Sequence, residues 1–433
     1  MDFVDVSRVL HGEFDGKIVR MHGWVHHKRS SGGIQFLLLR DGTGTIQCTL
    51  KKDRVDRRSF REVEKLPEES AIEVSGEVIK DPRAPRGHEV TINEIKVVHR
   101  AEEDYPIARK YHGPEFLLDN RHLWLRNEKM QTIMRIRAKL LEAAREWFEE
   151  NGYTEVQMPT LITAACEGGS TLFEVKYFDM KAYLTQSWQL YAEAVIASLG
   201  KIYTIAPSFR AEKSRTRRHL TEYWHLEAEA PWCDLDCIMK VQEGLVSHIC
   251  QKISKELPEE LESLGRDPKT LLEVEPPFEK ITYDSAVEML KRDKVEIKWG
   301  EDLGWEQEKH LALKFKKPFF VTHYPKGAKA FYHKPDPTNP QVTLSADLLA
   351  PEGYGEIIGG GQRIHDLNEL LERIEKEKLD IKDYRWYVDL RKYGSVPHAG
   401  FGLGVERTLA WICKLKHIRD AIPFPRLINR VYP

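Results

Sequence analysis

The stretch Ser208–Glu222 crowds five cationic side chains, Arg210, Lys213, Arg215, Arg217 and Arg218, between two strand-like segments, with Phe209, Glu212, His219 and Leu220 among them. In the second segment Tyr223, His225, Glu227 and Glu229 alternate with Trp224, Leu226 and Ala228, which gives a strand one polar and one apolar face. A hairpin built this way aligns Arg210 and Glu212 beside His225, Glu227 and Glu229. Acids and a cation on one strand face are costly unless they pair or hold a ligand. A polyphosphate plus a ligand ammonium would neutralise both signs; a solvated basic loop is the plainer reading of the charge run alone. A second set, Gly400-Phe401-Gly402-Leu403-Gly404-Val405-Glu406-Arg407, leads into the apolar helix Thr408–Leu415. Its glycines would let backbone approach a flat ligand. Arg407 falls in a first helical turn, where the dipole disfavours a cation by about 0.3–1 kcal/mol, so an anion is the expected neighbour. By itself this set reads equally as a Gly-rich turn with an incidental arginine. A third set places Asp347 and Glu356 around a turn, followed by Ile357-Ile358-Gly359-Gly360-Gly361-Gln362-Arg363. Hard acidic oxygens suit Mg²⁺ shared with phosphates, although two loop acids taken alone read as solvation.

The elements that must carry these residues fall into two groups. The first hundred residues read as five short strands, Lys17–His27, Ile34–Arg40, Thr45–Leu50, Ala71–Ile79 and Glu89–Val98, with one charged helix over Asp53–Lys65. Asp41-Gly42-Thr43-Gly44 is a hairpin turn, and the pattern predicts a small barrel of the OB type or an open five-stranded sheet. Residues 101–127 are polar, contain Pro106 and Pro114, and read as a linker. A long amphipathic helix begins near Glu128, with Met130, Ile133, Met134, Leu140, Leu141, Ala144, Trp147 and Phe148 at helical spacing and Gly152 ending it. A short strand, Glu155–Met158, runs into Pro159. The remainder, 128–433 in all, lacks regular βαβ alternation, so the expectation is an α+β chain whose second domain is an antiparallel sheet flanked by helices.

Composition narrows the possibilities. In 433 residues, 66 Lys and Arg against 68 Asp and Glu leave a formal charge of −2, so any nucleic-acid surface must be a local patch. His26, His27, Lys28 and Arg29 supply one such patch; as a metal pair the two histidines fail, because adjacent strand residues face opposite ways. No apolar run approaches membrane-spanning length, and the start Met1-Asp2-Phe3-Val4-Asp5 does not read as a signal peptide. Six cysteines without C-x-x-C argue against a disulfide framework; Cys233 and Cys237 read as core thiols, and a reducing, cytoplasmic compartment is expected. No P-loop and no H-E-x-x-H is present.

The three sets, with the long helix before them, resemble motifs 1, 2 and 3 of the class II aminoacyl-tRNA synthetases: the helix ending at Pro159, Phe209–Glu229, and Gly402-x-Gly404-x-x-Arg407. The N-terminal strands resemble the anticodon domain of the aspartyl/asparaginyl/lysyl subgroup, and the likeness spans essentially the whole chain. Glu167-Gly168-Gly169, Gln186-Ser187-Trp188-Gln189-Leu190-Tyr191, Arg218-His219-Leu220 and Gln362-Arg363-Ile364-His365 match the aspartyl/asparaginyl pattern. The resemblance implies that Arg210 clamps the α-phosphate of ATP. It implies that Glu212 accepts from the adenine amino group, and that Phe209 and Arg407 sandwich the ring. Arg218, His219 and Arg407 would hold the outer phosphates, with Leu220, Gly404 and Glu406 in the same nucleotide site. Asp347 and Glu356 would carry Mg²⁺. Glu167, Gln189 and Glu227 would surround the amino-acid ammonium, with Gln186, Ser187 and Arg210 nearby and Arg363 at the side-chain end. Arg210 and Arg407 are the catalytic pair so implied.

Aspartyl enzymes typically place a lysine directly after Gln-Leu-Tyr, whereas Tyr191 is followed by Ala192 and Glu193. The pattern therefore resembles the asparaginyl branch, of archaeal type, more than the aspartyl one. Trp188, where a small residue or proline is usual, and Gly359, where aspartyl enzymes often have serine, depart from the pattern. In the N-terminal domain Phe36 and Gln47 match the positions at which the family stacks and reads an anticodon base. A symmetric homodimer across the motif 1 helix is implied as well. Competing expectations are an aspartyl enzyme, with or without tolerance of both tRNAs, a paralogue that amidates aspartate without tRNA, and an RNA-binding or signalling derivative without catalysis.

Overall fold

The computed structural model describes residues 2–107, 110–167, 171–213 and 216–433; Gly168, Gly169, Ser214 and Arg215 of the motifs above lie outside them. The chain forms two units, one through Glu128 and one over Lys129–Pro433.

In the first unit β1 (Ile18–Ser31), β2 (Ile34–Arg40), β3 (Thr45–Lys51), β4 (Ala71–Lys80) and β5 (His88–His99) close into a barrel of order β1-β2-β3-β5-β4. Closure comes from β1, which pairs with β2 through one half and β4 through the other. Gly23 permits that crossing: a Cβ there would lie 2.3 Å from the Arg40 carbonyl oxygen. Alternation sends Leu37, Leu39, Ile46, Cys48 and Leu50 inward, where Val63 of the Arg57–Glu64 helix joins the core. The expected OB-type barrel is thus the observed one, and the alternative of an open sheet is not. Residues 101–127, read as linker, include two short helices, Pro114–Asp119 and Arg121–Trp124.

The second unit starts from the Glu128–Glu150 helix, which buries Ile133, Ile136, Leu140, Ala144 and Phe148, with Gly152 just beyond its end at φ 73°. Its strands are β6 (Thr154–Glu155), β7 (Leu161–Ile162), β8 (Glu174–Tyr177), β9 (Met180–Leu184), β10 (Ile202–Phe209), β11 (Glu222–Pro231), β12 (Glu279–Thr282), β13 (Phe319–Thr322), β14 (Pro335–Asp336), β15 (Asn339–Thr343), β16 (Ser345–Ala350), β17 (Gly355–Gln362) and β18 (His398–Gly404). Eight of them form one sheet in the order β12-β13-β16-β17-β18-β11-β10-β6. The middle of this sheet is antiparallel; only its edge pairs, β12 with β13 and β6 with β10, are parallel. The Leu235–Glu256 helix packs against β16, β17 and β18. No helix among the described residues is long and apolar enough to cross a membrane.

The reading of Cys233 and Cys237 as thiols is corrected: a disulfide joins them. Cys237 sits in the first turn of the Leu235–Glu256 helix, whose cap Asp234 accepts from its N–H, and Cys233 lies just before that cap, with the two Cα atoms 5.4 Å apart. The other cysteines are buried thiols.

Candidate active site

Strand register builds the floor of the site. Asp347 on β16 pairs with Gly359 on β17, Gly359 with Gly402 on β18, and Gly402 with Glu227 on β11. Two carboxylates thus face each other across two glycines, three strand spacings or roughly 14 Å apart. The neighbouring row runs Ser345, Gly361, Gly400, Glu229. The glycines of β18 are not equivalent. A Cβ on Gly402 would meet nothing nearer than Glu227 Cγ at 3.5 Å, so that position is open floor. A Cβ on Gly400 would lie 1.9 Å from Glu229 Oε2, so that glycine makes room for a protein carboxylate.

Above this floor lies a cavity of about 500 Å³. It continues into a smaller cleft of about 80 Å³, and Arg210, His225, Glu356 and Gly402 belong to the walls of both. Glu167, Ser187, Gln189, Glu227, Arg363 and Asp347 line the larger space; Glu212, Arg218, His219, Leu220, Gly404, Glu406 and Arg407 line the smaller. Phe209 and Gln186 line neither. Phe209 ends β10 with its N–H on the Thr185 carbonyl. Gln186 works from behind: its Oε1 accepts from the Glu167 N–H at 3.1 Å and its Nε2 donates to Thr171 Oγ1 at 2.6 Å. The Glu406 carboxylate is held by Arg137 at 2.7 Å and by the Trp224 N–H at 2.9 Å, which makes it a brace for β11.

Nearly every charge in the cleft has an opposite neighbour. Arg210 pairs with Glu167, whose charge holds the guanidinium above its ordinary value, while Arg210 Nε is buried without a hydrogen-bond partner. Arg407 donates to Glu356 at 2.6 Å, Arg218 to Glu308 at 2.5 Å, and Lys329 to Asp347 at 2.6 Å. Arg363 makes two bonds of 3.1 Å to Glu229, both groups being buried. Glu227 accepts from the Trp188 N–H at 2.7 Å and lies 2.9 Å from His225 Nδ1. Glu308 and Lys329 were not singled out in the sequence, and His225 was placed beside Glu227 without a role of its own. For Glu308 and Lys329 no local signal exists, because their partners come from distant segments; His225 shares the strand face of Glu227 and was legible there.

Asp347 and Glu356 differ in a way that bears on a cation. Burial pushes the Asp347 carboxyl up to about 7, against the pull of Lys329, and its Oδ1 is buried without a hydrogen-bond partner. Burial also acts on Glu356, but Arg407, Lys329 and Arg218 outweigh it and hold the carboxyl at about 2. A point beside Gly359, where a Cβ would sit, is 3.0 Å from Glu356 Oε1 and 3.6 Å from Asp347 Oδ1. Two hard oxygens converging on one uncovered spot, one of them without a partner, fit Mg²⁺.

On the barrel, Phe36 and Gln47 share the outer face, since Leu38, two residues from Phe36, pairs with Gln47. Phe36 is half-buried under the Arg29 guanidinium at 4.4 Å, and Gln47 is buried, donating to Glu89 Oε2 at 2.9 Å. The basic patch is weaker than its sequence implies: His27 lies 2.6 Å from Glu68 and Lys28 donates to the Glu64 carbonyl.

Residues 113–428 match the family described as tRNA synthetases class II (D, K and N), and residues 19–98 match the OB-fold nucleic acid binding domain. The chain is 52% identical over 421 residues to the asparagine–tRNA ligase of Thermococcus gammatolerans, covering 97% of each. It is 50% identical over 440 residues to that of Symbiobacterium thermophilum, covering both entirely. Among solved structures, the Pyrococcus horikoshii asparaginyl-tRNA synthetase complexed with asparaginyl-adenylate superposes with a TM-score of 0.97 at 50% identity over the whole of both chains. The Entamoeba histolytica asparaginyl-tRNA synthetase in complex with asparaginyl-adenylate gives 0.89 at 34% identity, with 97% of each chain covered.

Proposed function

The chain belongs to the class II tRNA synthetases of the D, K and N group, and from that premise we propose that its cleft activates L-asparagine with ATP and passes it to tRNA(Asn). The asparagine carboxylate attacks the α-phosphorus in line, pyrophosphate leaves, and the terminal ribose hydroxyl of the tRNA then attacks the adenylate carbonyl, releasing AMP. No side chain has to be a nucleophile; positioning and charge stabilisation carry the reaction. Arg210 stands where the two cavities meet, so one guanidinium reaches both the nucleotide and the amino acid, and its unpartnered Nε is free for the negative charge that builds on the α-phosphate. That shared wall is the observation that carries the reading.

Arg218, His219 and Arg407 hold the outer phosphates, and Glu212 faces the adenine. Phe209 lies outside both cavity walls at the end of β10, so the role of stacking on the ring is not assigned to it. Asp347 and Glu356 would hold Mg²⁺, which supplies charge neutralisation to the phosphates. Glu167, Gln189 and Glu227 surround the ammonium, with Ser187 beside them. At the far end Arg363 is already balanced by Glu229, and Ala192 lines the wall without adding a cation, which supports an amide substrate over a carboxylate. The outer barrel face with Phe36 and Gln47 receives the anticodon. A stripe of Met134, Ala138 and Leu141 on the long helix, none of them buried, supports a homodimer across that face. The need for ATP and tRNA supports a cytoplasmic location. ATP–pyrophosphate exchange tests the assignment: asparagine should drive it, and a preference for aspartate overturns the reading.

A further inference from the structure

Behind the amino-acid cavity lies an acid that takes no part in the roles above. Glu193 sits one helical turn after Gln189 in the Gln189–Leu199 helix, so both side chains project from the same face. The Glu193 side chain is wholly buried and its two oxygens serve several donors. Oε1 accepts from Gln189 Nε2 at 3.0 Å and from the Tyr387 hydroxyl at 2.9 Å. Oε2 accepts from Arg391 Nη2 at 2.5 Å, lies 2.9 Å from His398 Nε2, and is also 2.9 Å from the Tyr387 hydroxyl. Burial works against ionisation here, but Arg391 and His398 outweigh it and hold the carboxyl well below its ordinary value.

An ionised carboxylate only accepts, whereas an amide side chain has one donating and one accepting end. Glu193 therefore fixes the sense of the Gln189 amide. With Nε2 committed to Glu193, the Gln189 carbonyl oxygen is the end left for the cavity that Gln189 lines. The flipped amide would set its oxygen against an anion. We infer that Glu193 is a positioning residue that acts through Gln189, locking the Gln189 carbonyl toward the substrate ammonium. The same hub steadies the opposite end of the pocket: Arg391 Nε donates to the Ile364 carbonyl at 2.9 Å, and the His398 carbonyl accepts from the Arg363 N–H at 2.9 Å.

The inference rests on the proposed activation of asparagine, and the test separates the two. The full-length protein is assayed by ATP–pyrophosphate exchange with asparagine varied at saturating ATP, and with ATP varied at saturating asparagine. In Glu193→Gln either sense of the Gln189 amide is satisfied, so the KM for asparagine should rise roughly tenfold, the effect of about 1.4 kcal/mol, while the KM for ATP holds. The double variant Gln189→Glu with Glu193→Gln moves the carboxylate to the cavity side. There one oxygen accepts from the new glutamine and the other faces the ammonium, and the asparagine KM should fall back toward that of the unaltered protein. An unchanged asparagine KM in the single variant overturns the inference. Equal rises in both KM values, or no recovery in the double variant, overturn it too, because they mark Glu193 as a counter-charge for Arg391 alone. Failure of the unaltered protein to exchange with asparagine sinks instead the reading on which the inference rests.

Discussion

Replacing Gly400 by alanine puts a methyl group 1.9 Å from Glu229 Oε2 and 2.5 Å from the Ala228 carbonyl oxygen. The backbone oxygen cannot yield, so β18 or the Glu229 carboxylate must. Glu229 and Arg363 are at most 3% exposed and joined by two hydrogen bonds, and separating them leaves a buried charge uncompensated. Breaking such a pair costs about 3–5 kcal/mol. The same change two residues on behaves differently. At Gly402 the nearest atom to the new methyl is Glu227 Cγ at 3.5 Å, so the strand accepts it. Stability should hold or rise by up to about 1 kcal/mol, because a strand glycine gives up more entropy on folding than alanine does. The methyl would nevertheless stand on the floor between Glu227 and Asp347, and exchange should fall at least about tenfold, or 1.4 kcal/mol. Urea unfolding and asparagine-dependent ATP–pyrophosphate exchange, run on both variants, separate the two effects. A Gly400→Ala protein as stable as the unaltered one refutes the register argument. Full exchange in Gly402→Ala refutes the reading of Gly402 as open floor of the ligand cavity.

Arg210→Ala should fold and lose about 10²–10³ in exchange rate, the scale of removing one donor to a developing charge; exchange within threefold of normal contradicts its place between the two cavities. Phe36→Ala should weaken tRNA charging by about 1–3 kcal/mol through lost base stacking while leaving exchange untouched, and aminoacylation at varied tRNA concentration checks it. In the barrel, burial raises Glu69, but His26 at 3.8 Å and the two 2.7 Å hydrogen bonds from Arg40 outweigh it and hold the carboxyl at about 2, below its ordinary 4.5. A depressed folded value means the stabilisation is complete above about pH 4.5 and disappears as pH falls toward 2. Glu69→Gln should lower stability at neutral pH by about 2–3 kcal/mol and flatten that acid limb, read from denaturant midpoints across the range.

Local periodicity carried much of this site into the sequence. Period-2 alternation in β11 put His225, Glu227 and Glu229 on one face before any partner was known, and β10 and β11 pair in the hairpin register that this requires. What stayed hidden depends on chain segments far apart. Glu308 lies in a short charged helix that reads as solvated, and only folding brings it to Arg218, 90 residues earlier. Glu193 is one letter in an apolar helix; its meaning comes from Tyr387, Arg391 and His398. The glycines of β18 were legible as room for a close approach. Which glycine admits a ligand and which admits Glu229 could not be read without the register. Cys233 and Cys237 misled because spacing alone does not distinguish two thiols on a helical turn from two bonded sulfurs.

The pairing of charges across the cleft explains how so many ionised groups coexist without a ligand. Arg210 with Glu167, Arg407 with Glu356, Arg218 with Glu308, Lys329 with Asp347 and Arg363 with Glu229 are each neutral as pairs, so burying them avoids the penalty of isolated ions. Binding then becomes an exchange of partners. On the proposed reading the phosphates would take over the arginines from Glu356 and Glu308, the ammonium would take over Glu167 from Arg210, and Asp347 with the released Glu356 would hold Mg²⁺. Such an exchange needs little rearrangement of dipoles at the moment of reaction, which is the condition under which fixed charges lower a barrier most. Arg363 and Glu229 are the exception: both are nearly inaccessible, and Gly400 is shaped around their contact. A pair so enclosed keeps the far end of the pocket neutral, which on the proposed reading would favour a neutral amide over a substrate carboxylate.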